Sequence, residues 1–466
     1  MDQRVHAEGP ESPVSGEFVL YWVQVTLRAR ENPAFNFAVE QANRLRQPVL
    51  VYHGLRSDYP WASDRLHTFI IESAADLAKD FADLGVQYEF FLEQNRTAIG
   101  ESPLVHLARR ASLVVTDYFP SFIIPRQTAR LRQILETGAG ASSPPVIAID
   151  SATVVPLKVL GRAYSTARAI RPALIQALPH FLHPVGTTRP RIRRRIEVPF
   201  VTPGLSDVAS LVASCTIDHS VVPSPVFRGG SAAAAVRLET FLDQGLPRYE
   251  EERNDPCGRA SSGLSPYLHF GNISPQEILL RAREAGPEDQ YSRFQDQLLT
   301  WRELSFNFAY HDPAHREPES IPHWARRELE DHGGDPRPVL YSPDQLERAE
   351  TGDELWNSAQ RAYLREGYMH NYLRMLWGKS VVQWTPDYRQ AFRILVHLNN
   401  KYSLDGRDPN SYAGIAWIFG KFDRPFYRRP IYGLVRYMSL RAAGKKFDVG
   451  AYTQRFAAQK DLALPL

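Results

Sequence analysis

Cysteine is almost absent from this chain, which contains only Cys215 and Cys257 among its 466 residues. Two thiols are too few for a disulfide framework and too few for a four-cysteine zinc or iron–sulfur site. No apolar run reaches the roughly eighteen residues that a membrane helix needs, and the amino terminus has no basic cap followed by an apolar stretch. The sequence therefore predicts a cytoplasmic protein of the reducing cytosol, without a membrane span or a metal.

Two signatures of nucleotide binding are also missing. No G-x-G-x-x-G follows the first predicted strand, and no G-x-x-x-x-G-K-[ST] occurs anywhere. The net charge is only +3, so any nucleic-acid surface has to come from local clustering of basic residues. With 43% hydrophobic and 23% charged residues, the composition is that of a globular protein, and the length favours two domains.

Short β-rich runs alternate with helical stretches over the first third of the chain. The runs are FVLYWVQV, PVLVYHG, QYEFFL, SLVVTD and VIAID, and the stretches between them have helical periodicity, which predicts crossover helices on a parallel sheet. Beyond residue 232 the periodic segments are helical. We therefore predict an α/β plus all-α fold with four parts: a disordered terminus (1–16), a Rossmann-like α/β domain (17–185), an inter-domain linker (186–232) and a helical domain (233–466).

The most specific stretch is RASSGLSPYLHFGNIS, which begins at Arg259. Its Ser-Ser-Gly run offers small side chains, hydroxyls and free backbone NH groups just before a predicted helix start, which suits a diphosphate held close to the backbone. A plain helix cap followed by a proline-initiated turn is the alternative. The segment alone does not decide between the two.

A second stretch, LWNSAQRAYLREGYMHNYLRMLWGKSVVQW, begins at Leu355 and carries three tryptophans. Trp377 and Trp384 lie on one helical face, about 10 Å apart along the axis. Indoles at this spacing can relay an electron. A pair of tryptophans is nevertheless more often simple core packing.

Two further segments concentrate polar and basic side chains. The loop from Asp405 to Asn410 places polar groups in an aromatic helical region, where they need a ligand or an ion pair; a solvated loop with Asx turns is the alternative. From Lys421 to Lys446, eight basic residues and one acid are interleaved with Phe and Tyr. Basic side chains pair with phosphates and aromatic faces stack on unpaired bases, although a solvated basic surface is again the alternative.

In this order, the segments resemble the flavin domain of the photolyase and cryptochrome family, and most closely its class II branch. SGLSPYLHFGNIS resembles the flavin-cradling segment of the whole family, and WNSAQ, YMHNYLRMLW, KYSLDGRDPNSYAGIAW and DRPFYRRPIYGLVRYMS resemble the class II versions. The resemblance covers nearly the whole chain, because an α/β antenna domain and a long linker are also family features.

The resemblance implies a folded FAD that is active in its reduced form. It implies a phosphate side held by Tyr249, Ser261, Ser262, Gly263, Leu264 and Ser265, and further contacts from Trp301, Asn371, Arg374, Asp405, Asp408 and Asn410. Arg374 and Asp405 are then expected to pair beside the isoalloxazine ring. Asn399 is expected to face the flavin N5, with Asn410 as the alternative. The α/β domain could hold an antenna chromophore, such as a deazaflavin or a folate.

The same resemblance implies an electron relay and a lesion pocket. The relay consists of Trp377, Trp356 and Trp384. The pocket is lined by Trp301 and Trp417, with Met375 against the flipped pyrimidines, and DNA is bound by Arg424, Arg428, Arg429 and Arg436. Gln297 stands where much of the family has a glutamate that hydrogen-bonds the dimer, and Asn371 stands where class II enzymes more often have glycine.

The activity implied is light-driven carbon–carbon cleavage of cyclobutane pyrimidine dimers in UV-damaged DNA, by a monomer. A cryptochrome-like photoreceptor is the main alternative, and Gln297 leaves room for it. A general electron-transfer flavoprotein is a more remote one, since nothing marks a nicotinamide site.

Overall fold

The protein is known here from a computed structural model that describes residues 2–7, 9, 12–94, 102–139 and 143–458. Its sheet has six strands in the order β1-β6-β5-β2-β3-β4, with bounds β1 (Val5–Ala7), β2 (Phe18–Val23), β3 (Val49–Leu55), β4 (Gln87–Leu92), β5 (Ala111–Tyr118) and β6 (Val146–Asp150). Strands β2 to β6 pair in parallel, and β1 is antiparallel to β6. The five predicted strands and their parallel order are confirmed.

The prediction of disorder at residues 1–16 is wrong for the first described residues. Asp2–Arg4 forms a 3₁₀ turn that leads into the edge strand β1. The buried Arg4 guanidinium donates hydrogen bonds of 2.8 to 3.0 Å to the carbonyls of Asp150, Thr153 and Val154. These partners lie about 150 residues away along the chain, so local sequence carries no sign of them.

Six helices belong to the α/β domain: α1 (Pro33–Leu45), α2 (Asp64–Leu84), α3 (Pro103–Arg110), α4 (Ile124–Ala139), α5 (Leu157–Leu160) and α6 (Ala167–Phe181). All six residues of β2 are buried, as expected for a parallel strand covered on both faces. Local signals set the helix ends. Asn32 accepts a hydrogen bond from the amide of Phe35 at the start of α1, and Gly85 ends α2 in the left-handed conformation.

The predicted linker follows the surface of the α/β domain for much of its length. Ile196 is buried there against the sheet, and its amide donates to Gln87 Oε1 over 2.7 Å. The linker also contains a short helix that the sequence did not predict, α7 (Val208–Ala213). The next helix, α8, begins at Ser231.

The remainder of the described chain is helical, with an isolated bridge between Arg429 and Gly433. Its helices are α8 (Ser231–Thr240), α9 (Tyr249–Glu252), α10 (Ser265–His269), α11 (Pro275–Ala285), α12 (Glu288–Gln295), α13 (Arg302–His311), α14 (His323–Asp331), α15 (Pro343–Glu347), α16 (Glu354–Glu366), α17 (Asn371–Trp384), α18 (Tyr388–Tyr402), α19 (Pro409–Ile418) and α20 (Val449–Arg455). Single π-helical turns occur at Phe241–Gly245 and Asp296–Trp301.

Buried polar side chains join the two domains. Arg302 donates to the carbonyl of Ala152 over 2.7 Å, and Glu303 accepts a 2.7 Å hydrogen bond from the amide of Val154. Arg28 donates to the carbonyl of Gly271 over 2.9 Å. Within the described ranges, no helix is long and apolar enough to cross a bilayer, and no three metal-ligand side chains are grouped together.

Candidate active site

An ion pair between Arg374 and Asp405 lies at the centre of the site. Arg374 is in the first turn of α17, and its Nη2 lies 2.9 and 2.8 Å from the two carboxylate oxygens of Asp405. Its Nε donates to the carbonyl of Met369 over 2.8 Å. Burial opposes charge on both groups, but Arg374 lowers the pKa of Asp405, and Asp405 raises the pKa of Arg374. Both side chains are therefore charged at neutral pH.

Side chains from the Ser-Gly segment converge on this pair. Ser265, at the start of α10, lies close enough to Asp405 to help lower the pKa of its carboxyl group. The hydroxyl of Ser261 lies 3.2 Å from that of Tyr368, whose ring is 5.6 Å from the Arg374 guanidinium carbon. Tyr368 was missed from the sequence, where a tyrosine between helices carries no specific signal.

The turn before α10 has the form of an anion cradle. Gly263 has φ of +62°, which favours glycine, and Ser262 Oγ accepts a hydrogen bond from the amide of Leu264 over 3.4 Å. A Cβ atom on Gly263 would lie 3.5 Å from the Arg237 side chain. A cation, hydroxyls and a helix start thus surround one open turn. Arg237 was also missed, because it is distant in sequence. The predicted Tyr249 is buried nearby, and burial raises its pKa to about 12.

Asn399 is connected to the ion pair only through the side chain of Tyr363. Asn399 is buried on α18 and accepts a 3.2 Å hydrogen bond from the hydroxyl of Tyr363, and the Arg374 guanidinium carbon lies 5.5 Å from the centroid of the Tyr363 ring. Asn410 is instead held at the start of α19, where its Nδ2 donates to Asp408 over 2.8 Å. We call Arg374, Asp405, Asn399, Tyr363 and Tyr368 the Arg374 cluster.

Two predicted cofactor contacts lie apart from this cluster. Asp408 caps α19, and its carboxylate is 3.1 Å from Nδ1 of the buried His269. Burial lowers the pKa of His269. Asn371 is exposed at the first residue of α17. The geometry therefore places neither residue against the Arg374–Asp405 pair.

The three predicted relay tryptophans form a continuous row. The rings of Trp377 and Trp356 are stacked with centroids 6.3 Å apart, and those of Trp356 and Trp384 are 5.6 Å apart. The row begins beside Tyr363, whose ring centroid is 5.6 Å from that of Trp377. It ends at Trp384, which contacts the partly exposed Tyr341 at 5.3 Å. Trp356 of α16 therefore lies between the two tryptophans of α17. The spacing of those two tryptophans on one helix does not predict this arrangement.

Trp301 and Trp417 stack face to face, with ring centroids 4.5 Å apart and 14° between the planes. Trp417 Nε1 donates to Asp423 over 2.8 Å. Gln297 is half-buried one turn before Trp301, and Met375 is half-buried on α17. The two indoles present an aromatic surface of the kind that stacks on a base. Nothing in the sequence indicates that Asp423 orients Trp417.

The basic segment forms an exposed loop with aromatic side chains among its arginines. Arg424, Arg428 and Arg429 are exposed, and Tyr427 is 90% exposed. The half-buried Arg436 lies over the ring of Phe426 at 5.7 Å. The loop therefore combines cations with accessible aromatic faces, as binding to phosphates and unpaired bases requires.

Some members of the same segment are structural. Tyr432 is 2% exposed, and its hydroxyl donates to the carbonyl of Lys379 over 2.6 Å. Lys421 donates to the carbonyl of Ser320 over 3.1 Å and lies 4.1 Å from the Phe308 ring centroid. Tyr432 and Lys421 therefore pack against the helical domain, although the sequence pattern groups them with the basic and aromatic surface residues.

A cavity of about 870 Å³ opens at the carboxyl ends of the parallel strands. Residues that follow these strands line it, including Gln24, Arg56 and Phe119, and the helical domain contributes His269 and Arg407. In open α/β sheets this edge is where ligands bind, and the volume is sufficient for a planar heteroaromatic molecule.

Similar proteins are known at the level of both sequence and structure. The chain is 35% identical over 465 residues to the deoxyribodipyrimidine photo-lyase of Methanothermobacter thermautotrophicus, covering 98% of this chain and 100% of the relative. It is 33% identical over 444 residues to that of Arabidopsis thaliana, covering 93% and 88%. No protein-family model matches the chain.

Solved structures share the fold. A bacterial class III photolyase from Agrobacterium tumefaciens superimposes with a TM-score of 0.68 at 20% identity, covering 96% of this chain and 88% of that one. A cryptochrome from Synechocystis gives a TM-score of 0.68 at 16% identity, covering 96% and 89%. The α/β sheet joined to a helical domain and the similarity over nearly the whole chain define the class of protein. The chain belongs to the photolyase/cryptochrome family and, within it, to the deoxyribodipyrimidine photo-lyases.

Proposed function

We propose that the protein is a class II photolyase that splits cyclobutane pyrimidine dimers in DNA, using light and reduced FAD. The observation that carries the proposal is the row of three indoles that begins at the Arg374 cluster. A row of this kind connects a buried redox cofactor with the surface. The class II sequence motifs and the similarity to archaeal and plant deoxyribodipyrimidine photo-lyases support the assignment.

The residues present fit FAD. Reduced FAD held by these residues would supply light-driven one-electron chemistry, with no net redox change when both cyclobutane bonds of the dimer are broken. Arg237, Ser262 and Ser265 hold the diphosphate at the turn around Gly263. The Arg374–Asp405 pair orients the ring system. The side chain of Asn399 is a neutral amide, so it would neither give a proton to the cofactor nor take one from it.

The remaining residues bind and expose the lesion. The exposed arginines of the basic loop bind phosphates, and Arg436 supports the backbone beside the extruded dimer. Trp301 and Trp417 receive the flipped pyrimidines on their aromatic faces, with Met375 in contact below. The amide oxygen of Gln297 accepts a hydrogen bond from a pyrimidine NH, and the side chain has no titratable proton.

We propose a second chromophore in the α/β cavity. Its position at the carboxyl ends of the strands, with His269 and Arg407 of the helical domain in its wall, suits an antenna that passes energy towards the Arg374 cluster. A deazaflavin or a folate fits this role. The crystal structure of an archaeal photolyase from Sulfolobus tokodaii with the same fold contains two FAD molecules, which implies a novel light-harvesting cofactor in that protein, so a second flavin is a further candidate.

One illumination experiment tests the proposed function. The reduced protein is mixed with an oligonucleotide that contains a thymine dimer, and recovery of thymine absorbance is followed in blue light and in the dark. We expect recovery only in light. A parallel oligonucleotide with the (6-4) photoproduct tests the lesion preference. Intact flavin photoreduction without recovery on either substrate would contradict repair and favour a photoreceptor.

A further inference from the structure

One buried cation of the α/β domain, Arg65, contacts the helical domain next to the Arg374 cluster. Arg65, in the first turn of α2, is 1% exposed. Its guanidinium donates to the carbonyls of Tyr363 at 2.8 Å, Tyr402 at 2.7 Å and Leu364 at 2.7 Å, and its Nε donates to Val222 at 3.0 Å. All four of these acceptors are backbone carbonyls.

Three of these carbonyls lie at helix ends, and that of Tyr363 also accepts from the amide of Gly367 over 3.1 Å. Tyr363 and Leu364 lie in the last turn of α16, and Tyr402 ends α18. The last carbonyls of a helix have no intrahelical donor and carry the negative end of the helix dipole. A fork-shaped cation satisfies two helix ends at once, which a lysine ammonium cannot do with the same geometry. Arg65 therefore fixes the ends of α16 and α18 relative to each other.

Those helix ends carry the Arg374 cluster. The Tyr363 side chain bonds Asn399 on α18, and its ring contacts Trp377 at 5.6 Å. Just beyond α16, the carbonyl of Gly367 accepts from the amide of Leu404 over 2.9 Å, which ties the helix end to the segment that contains Asp405. A shift of either helix end would thus move the hydrogen-bond partner of Asn399.

We infer that Arg65 is a positioning residue of the flavin site: although it belongs to the α/β domain, it holds Tyr363, Asn399 and Asp405 in the arrangement that the cofactor meets. The inference rests on the proposed function, because it assumes that the Arg374 cluster receives FAD. It also assigns the α/β domain a role beyond carrying an antenna. The buried positive charge further stabilises a reduced, anionic cofactor nearby.

Arg28 provides a matched control. It is a second buried inter-domain arginine of the α/β domain, 4% exposed, and it donates to the carbonyls of Gly271 at 2.9 Å, Ser151 at 2.8 Å and Glu31 at 2.9 Å. Burial lowers the pKa of Arg28 and of Arg65 to about 10. None of its acceptors belongs to the Arg374 cluster, so Arg28→Lys perturbs the domain contact without perturbing the helix ends that Arg65 holds.

Two measurements test the role of Arg65 in the full-length protein. In the apoprotein, Arg65→Lys should speed amide exchange at Gly367, Ser403 and Leu404 by about tenfold or more, the size expected for loss of a charge-assisted hydrogen bond. After addition of FAD, Arg65→Gln should make the midpoint potential of the bound flavin more negative, and Arg65→Lys should restore part of the shift. Arg28→Lys should leave the three amides and the potential at wild-type values.

A further variant covers the case in which the Arg65 variants do not fold. A Cβ atom on Gly367 would lie 2.9 Å from Arg65 Cδ, so Gly367→Ala crowds the Arg65 side chain. Because Gly367 has φ of +71°, the substitution also strains its own turn, so this variant is read at the amide of Ser403, which should exchange faster. Unchanged exchange at the three amides, or equal changes in Arg28→Lys, would overturn the inference. If the wild-type protein takes up no FAD, the proposed function fails, while the exchange data on the apoprotein still decide whether Arg65 holds these helix ends.

Discussion

The residues of the active site differ in whether their side chains carry a charge where they are removed from water. Arg374 and Asp405 stay charged because each stabilises the other, whereas Asn399 and Gln297 bring hydrogen-bonding groups without charge. Because both positions carry an amide, neither side chain acts as a proton donor or acceptor in a proton transfer. The residue scale therefore predicts that single changes here alter cofactor electronics and lesion contact more than they alter folding.

Gln297→Glu should increase the repair yield of the pre-reduced protein. A hydrogen bond that involves a charged partner is about 1 kcal/mol stronger than a neutral one, so lesion binding should tighten about fivefold. Yield per absorbed photon and lesion affinity are the two measurements. Gln295→Glu, on the same turn but bonded to Tyr291 over 3.1 Å, is the control. Equal behaviour of the two variants would remove Gln297 from the lesion pocket.

Trp356→Phe should reduce photoreduction of the bound flavin almost to the dark rate, because Trp356 is the only indole of the row that contacts both Trp377 and Trp384 among the described residues. Loss of its 3.0 Å hydrogen bond to the carbonyl of Trp377 should also lower the free energy of unfolding by about 1–3 kcal/mol. Repair by chemically pre-reduced protein should persist. Trp324→Phe, outside the row, is the control; normal photoreduction in Trp356→Phe would refute the relay.

Among the elements, the loop from Arg424 to Arg436 contributes most of the exposed positive charge beside the Trp301–Trp417 pair. It has little regular structure, but the amide of Phe426 donates to the carbonyl of Leu434 over 2.8 Å and closes its base. Arginine–aromatic contacts at 5.7 and 5.1 Å hold Arg436 and Arg429 over neighbouring rings. Such contacts place the cations before DNA arrives, which lowers the entropy lost on binding.

Arg436→Ala should weaken binding to dimer-containing DNA, with the slope of log affinity against log salt reduced by about 1, as expected for loss of one phosphate contact. Titrations at several salt concentrations measure both effects. Arg348→Ala, an exposed arginine paired with Glu350 at 3.1 Å, should leave the slope unchanged. A wild-type slope in Arg436→Ala would place Arg436 outside the DNA contact.

At the scale of the whole molecule, buried polar groups determine how the two domains fit together. Arg28, Arg65 and Arg302 cross the interface as cations bound to backbone carbonyls, and Glu303 crosses it as an acid. Burial raises the pKa of Glu303 to about 8, although Arg302 beside it acts in the opposite direction. The interface therefore contains a carboxyl group that is protonated at neutral pH.

Stability should depend on pH through this group. The folded-state pKa is about 8, against an ordinary value of 4.5, so the folded protein keeps a proton that the unfolded chain releases between these values. The contribution of Glu303 to the free energy of unfolding is complete below about pH 4.5. It is lost as the pH rises towards 8, at up to about 1.4 kcal/mol per pH unit. Glu303→Gln should flatten this slope in urea unfolding at pH 5 to 8. The exposed Glu319→Gln should retain it.

Much of the fold could be predicted from the sequence because local patterns specify it. The five parallel strands are apolar runs separated by helical periodicity, and Gly85 or Asn32 mark helix ends by their own conformational preferences. The short edge strand Val5–Ala7 could not be found in this way. Three residues have too little pattern, and their place is fixed by the contacts of Arg4 with a loop that is distant in sequence.

By itself the sequence determined the order of the two domains and the identity of the Ser-Gly turn, because each has a compact local signature, whereas the pairing expected between Arg374 and Asp405 came from the family resemblance. Only the tertiary structure decided that Asn399 contacts Tyr363 beside that pair, that Trp356 lies between Trp377 and Trp384, and that Arg65 reaches the site from the other domain. Those outcomes depend on which helices pack side by side and on which buried donors meet free carbonyls. Packing of this kind brings together residues whose separation along the chain gives no sign that they are in contact.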